Sequence, residues 1–144
     1  MSYSINIQLA DDSESIPSAA LLKKWCSATL TQQKIKKAEI CIRVVNKKES
    51  AALNKTWRNK KGATNVLSFP IKSPMLGDLV ICAPLVKEEA KEQVKTTKAH
   101  WAHMVVHGTL HLLGFDHIKN KDAIKMETLE IKILCQLGFD NPYN

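Results

Sequence analysis

The chain opens with apolar side chains at Tyr3, Ile5, Ile7 and Leu9 alternating with polar ones, the period-two pattern of a half-buried strand. A polar connection from Asp11 to Ser15 follows. Pro17 stands where a first-turn proline belongs, and Leu21, Leu22, Trp25 and Leu30 recur near helical spacing. They predict a helix to about Leu30 with its lysines on the wet face. Ala38–Val45 is rich in β-branched residues and reads as a second strand. A helix from Lys48 to Trp57 should partly bury Ala51, Ala52, Leu53 and Trp57. The run Arg58-Asn59-Lys60-Lys61-Gly62 then breaks all periodicity, as a basic exposed loop would. Asn65–Pro70 is a short strand closed by proline. A turn around Ser73-Pro74-Met75 and a partner strand, Gly77–Cys82, complete a hairpin.

After Pro84 the pattern is helical. Pro84–Lys95 carries Glu88, Glu89 and Glu92 among lysines, as an exposed helix does. Thr96 or Thr97 can cap the next helix, which reaches Leu113. That helix is apolar on most sides, through Trp101, Met104, Val105, Val106, Leu110, Leu112 and Leu113, and should be the central, buried one. A last amphipathic helix, about Lys121 to Leu137, ends at Gly138 and packs Ile124, Met126, Leu129, Ile131, Ile133 and Leu134 over the core. The order β-α-β-α-β-β-α-α-α predicts an α+β fold: one domain over residues 1–144, with a mixed sheet of about four strands packed with about five helices. The βαβ start permits parallel pairing, and the hairpin adds an antiparallel strand.

Composition sharpens this picture in three ways. No apolar run approaches the ~20 residues of a membrane span, and the N-terminus has no basic segment of a secretion signal, so a cytoplasmic protein without membrane partners is expected. The four cysteines, Cys26, Cys41, Cys82 and Cys135, stand singly among apolar neighbours and read as buried reduced thiols. The net charge of +7 is concentrated: Lys23 to Lys61 holds 12 basic residues against Glu39 and Glu49, an excess of +10. Such an excess either attracts a polyanion, nucleic acid first, or merely solubilises surface helices.

The chemistry lies in His107-Gly108-Thr109-Leu110-His111-Leu112-Leu113-Gly114-Phe115-Asp116-His117, which holds three of the five histidines. His107 and His111 are one helical turn apart on one face, close enough for two imidazoles to share an ion. Gly114 can end the helix and turn the chain back, so that His117 arrives as a third ligand. The spacing is that of the metzincin zinc proteases, but Gly108 stands where those enzymes carry their glutamate base. Three neutral nitrogens suit zinc, one ion per chain, and leave a fourth position open for catalysis; another divalent transition metal would also fit. His103, one turn before His107, is a supporting residue or a further ligand; His100 points elsewhere. Asp116 either orients an imidazole or caps the turn.

The runs Arg58 with Thr64–Pro70, Gly77–Cys82 and Ala99–His103 through His107 to His117 closely resemble the YbeY family of bacterial endoribonucleases and ribosomal RNA maturation factors. The resemblance implies zinc on His107, His111 and His117, with His111 and Arg58 taking part in RNA cleavage. It also implies a single-strand-acting enzyme in 16S rRNA 3′-end maturation and ribosome quality control, with ribosomal RNA, ribosomal particles and ribosomal or assembly proteins as partners. The residues themselves agree that the planar fork of Arg58 suits a scissile phosphate. Asn65 and Ser68 either line the cleft or satisfy a turn and a strand neighbour. Asp78 either pairs with Arg58, orients a ligand, or only starts its strand. No glutamate lies near enough in sequence to serve as general base, which leaves attack by water and by the ribose 2′-hydroxyl both open. The rival readings are a non-enzymatic rRNA-binding assembly factor stapled by a structural metal, and a metal-dependent hydrolase of another substrate.

Overall fold

The computed structural model describes residues 2–10, 15–71, 76–116 and 118–144. Most of the Asp11–Ser15 connection, the turn at Ser73-Pro74-Met75, and His117 lie outside the described residues. The alternating segment forms β1, Ser2–Leu9, and the βαβ start follows as α1, Ala19–Gln32, and β2, Lys37–Val45. Ser18 rather than the Pro17 turn begins α1, its hydroxyl accepting from the Leu21 N–H at 3.2 Å. Next come α2, Lys47–Arg58, and the hairpin of β3, Val66–Pro70, with β4, Leu76–Cys82. The chain ends with α3, Ala83–Glu92, α4, Thr97–Leu112, and α5, Asn120–Gln136. Thr96 caps α4, accepting from the Ala99 N–H at 3.1 Å.

The sheet order is β1-β2-β4-β3, with β1, β2 and β4 parallel and β3 antiparallel at one edge. Register aligns Ile5 with Ile40, Ile7 with Ile42, Ile42 with Leu79, and Val44 with Ile81, so one face is a continuous apolar floor. Upon it lie α1, α4 and α5, and the main core of Leu22, Trp25, Trp101, Val105, Leu110, Met126 and Ile133 is almost free of solvent. A smaller core on the other face joins Val45, Leu67, Val80 and Cys82 to Leu53, Phe69 and Leu85. Helix α4 touches α1, α3, α5, β3 and β4, the central position its apolar sides require. The close approach depends on Gly108: a Cβ there would stand 2.8 Å from Leu79 Cδ2 and 3.2 Å from Val66 Cγ2.

Four expectations are corrected. Arg58 is the last residue of α2, not part of the loop, because Asn59 in the left-handed region (φ 54°) closes the helix one residue later. Trp57 and Ala52 are exposed, whereas Ser50 and Asn54 are buried; they bind the following loop instead of apolar neighbours. Ser50 Oγ donates to the Thr64 carbonyl at 2.8 Å and accepts from its N–H, while Asn54 Nδ2 donates to the Gly62 carbonyl at 2.9 Å. Ile124 is 66% exposed, since the buried stripe of α5 is Met126, Glu130, Ile133 and Leu134. Of the thiols, Cys26 and Cys82 are buried, Cys41 is half-buried and Cys135 is exposed, and none forms a disulfide.

Candidate active site

Helix α4 ends as its sequence dictates. Gly114 adopts φ +98°, its N–H reaches the His111 carbonyl, and the Phe115 N–H reaches Leu110, so the chain turns back beneath the last turn. A cleft of about 630 Å³ opens between this turn and edge strand β3. His107, His111 and Asp116 line one wall; Arg58, Asn65 and Ser68 line the other.

The two imidazoles have their protons fixed from behind. The Phe115 carbonyl can only accept, so His111 Nδ1, 2.9 Å away, carries a proton. His107 Nδ1 lies 3.1 Å from Glu130 Oε2 and donates to that carboxylate. The remaining nitrogens, both Nε2, are then lone-pair atoms, and they face each other at 3.1 Å. Two acceptors held that close repel unless a cation or a proton stands by them. The donor set therefore fits a metal of the imidazole-binding kind.

Glu130 is the residue that sequence reasoning missed. It is 1% exposed and sits in the apolar stripe of α5. Its Oε2 accepts from His103 Nε2 at 2.6 Å as well as from His107, and its Oε1 accepts from the Tyr143 hydroxyl at 2.8 Å. Burial alone would raise this carboxyl, but the hydrogen bonds it accepts from His103 and His107 bring it down to about 2. Burial and the same carboxylate push the Tyr143 hydroxyl well above its usual range. The signal was present: a carboxylate at i+4 from Met126 and i−4 from Leu134 breaks a hydrophobic face. His103, His107 and Glu130 form a candidate metal group, with one ligand atom of each within 4.8 Å of the others. Within it the carboxylate oxygen is already committed to both imidazoles. Glu130 thus acts as a buttress that orients His107, and His103 donates to the same carboxylate.

The other candidates divide. Asp116 lines the cleft and accepts from the Ile118 N–H at 3.1 Å. Ser68 Oγ donates to the Gly108 carbonyl at 3.1 Å, tying β3 to α4 across the cleft floor. Asn65 both lines the cleft and bonds locally, accepting from the Val66 N–H and donating to Glu89 at 3.1 Å. His100 does point elsewhere, with Nε2 at 2.9 Å from Glu89. Asp78 is outside the site: it is exposed and shares the sheet face of Val80 and Cys82, opposite to α4. Among the described residues neither Asp78 nor Arg58 makes an ion pair. The basic segment is likewise divided in space. Lys23 and Lys24 ride on α1 over one face of the sheet, and Lys55 and Arg58 end α2 on the other; Lys60 and Lys61 follow Arg58 in the chain.

The profile described as Endoribonuclease YbeY matches residues 6–138. The chain belongs to the YbeY family. Proteins named Endoribonuclease YbeY from Coxiella burnetii strains are 52% identical over 149 residues, covering 97% of both chains. One from Cellvibrio japonicus is 45% identical over 148 residues, covering 99% of this chain and 84% of its own. The solution structure of TM1509 from Thermotoga maritima superposes with a TM-score of 0.65 at 26% identity, covering 90% of this chain and 86% of the other. The YbeY fold is thus the α+β arrangement described above, and its function class is an RNA-cleaving hydrolase. Among the described residues, no YbeY helix is long and apolar enough to cross a membrane.

Proposed function

We propose that this YbeY protein is a zinc-dependent endoribonuclease that matures the 3′ end of 16S rRNA and serves ribosome quality control in the cytoplasm, working as one domain over residues 1–144. The observation that carries the reading is the pair of lone-pair nitrogens, His107 Nε2 and His111 Nε2, 3.1 Å apart in a cleft whose opposite wall presents Arg58. His107, His111 and His117 would hold the ion, one per chain, which when bound supplies Lewis acidity to a phosphoryl oxygen. Glu130 and the Phe115 carbonyl keep both imidazoles in the tautomer that offers Nε2. Arg58 grips the non-bridging phosphate oxygens and meets the charge that develops there, because its planar fork donates in pairs. A carboxylate already held by three donors and drawn down to about 2 is a poor proton acceptor, so Glu130 positions and does not take the nucleophile's proton.

The test is cleavage of an rRNA 3′-end precursor by the parent protein, by the parent with chelator, and by His111→Ala and Arg58→Ala. Cleavage should stop with chelator and with His111→Ala, fall by orders of magnitude with Arg58→Ala, and leave RNA binding by Arg58→Ala within about tenfold of the parent. Undiminished cleavage in all three would sink the reading. Normal rRNA binding without any cleavage by the parent would favour the assembly-factor alternative.

A further inference from the structure

The two faces of edge strand β3 serve different ends. Ser68 faces α4 and the cleft floor, whereas Phe69 turns to the opposite side. There its ring meets Trp57 edge-on, with centroids 6.2 Å apart at 70°. Trp57 is 67% exposed, while Trp25 and Trp101 are 1% and 0% exposed. A single exposed apolar residue needs no explanation by itself. This one has three distinguishing features. It immediately precedes Arg58, which lines the cleft. Its ring is braced by a second aromatic. Its segment carries Lys55, Arg58, Lys60 and Lys61, all exposed, and contains no acidic residue from Ser50 to Gly77. An apolar protein partner would have to desolvate those cations, whereas a polyanion strand neutralises them while its bases find a π surface.

We propose that Trp57, braced by Phe69, is a stacking platform for an unpaired nucleobase of the RNA strand that passes Arg58 into the histidine cleft. The inference rests on reading that cleft as an RNA-cleaving site. The cations hold the backbone in register, and the indole takes a base without reading its identity. Single-stranded RNA is therefore preferred to duplex, whose bases are already stacked.

Because Trp25 and Trp101 are buried, Trp57 should dominate the quenchable emission of the folded protein. A short 2′-O-methyl oligouridine, which binds and is not cut through the ribose, should quench it on titration. Trp57→Ala should abolish the quench and bind about 5- to 150-fold more weakly, the worth of one base–aromatic stack, with an unchanged melting temperature. Trp57→Phe should recover to within a few-fold of the parent. An abasic oligomer of equal charge should bind parent and Trp57→Ala alike. Trp57→Ala binding as tightly as the parent, or an abasic oligomer quenching as strongly as oligouridine, overturns the platform. If the parent cuts no RNA, the nuclease reading falls and the quench still decides the platform. If Trp57→Ala binds and cuts normally, the platform falls and the nuclease reading stands.

Discussion

Replacing Glu130 tests whether the site is held together from behind. The carboxylate is 1% exposed and accepts three hydrogen bonds, from His103, His107 and Tyr143. Glu130→Ala leaves those donors facing a cavity. Removing one partner of a buried charged cluster costs about 3–5 kcal/mol, a large share of the ~5–15 kcal/mol that a domain possesses. At roughly 3–4 °C per kcal/mol for a chain of this length, the melting temperature should fall by about 9–20 °C. Glu130→Gln keeps the shape and one acceptor oxygen, and its amide can donate to a Tyr143 hydroxyl that rotates to accept. It forfeits chiefly the charge assistance, so about 1–2 kcal/mol and a smaller melting shift are expected. Both variants loosen the His107 tautomer and should weaken zinc binding about 10- to 100-fold, measured by competition with a chromophoric chelator. Melting followed by circular dichroism in excess EDTA separates the stability effect from metal linkage. A Glu130→Ala protein that melts with the parent in EDTA and binds zinc equally tightly would refute the buttress.

Other expectations follow from the same packing. Gly108→Glu, which restores the metzincin sequence, should fail to create a peptidase and should unfold the protein, because a Cβ at position 108 already stands 2.8 Å from Leu79 and 3.2 Å from Val66. The carboxylate would be forced into the core at a cost of several kcal/mol, seen as loss of cooperative melting. Toward a thiol reagent at pH 8, native protein should label Cys135 quickly and Cys41 slowly. Cys26, whose thiol burial pushes up to about 11, and Cys82 should react only after unfolding. Burial lowers the pKa of His100, with Glu89 opposing it, and among the described residues His100 Nδ1 has no hydrogen-bond partner to stabilise a second proton. Below pH 6.5 the unfolded chain therefore binds this proton before the folded one does, and stability is lost as pH falls toward the depressed folded value. His100→Gln should flatten that part of the stability-against-pH curve in urea titrations; an unaltered slope would contradict it.

Periodicity and punctuation alone determined most of the architecture. The apolar alternation of β1, the threonine cap and near-continuous apolar surface of α4, and the glycine at 114 each report a local physical requirement, and local requirements are written in consecutive residues. So are His107 and His111, because a helix converts a spacing of four into a shared face. Where sequence reading failed, the deciding partner was distant. Trp57 was expected to be half-buried, but the edge position of β3 leaves α2 too little apolar surface to cover it. Asp78 stands inside one of the family-like runs, Gly77–Cys82, yet strand alternation turns it to the face opposite α4. The basic run from Lys23 to Lys61 is continuous in sequence and divided by the sheet in space. Glu130 lies 23 residues beyond His107. Only the packing of α5 on α4 brings its carboxylate behind the imidazole, and only that contact fixes which nitrogen faces the cleft.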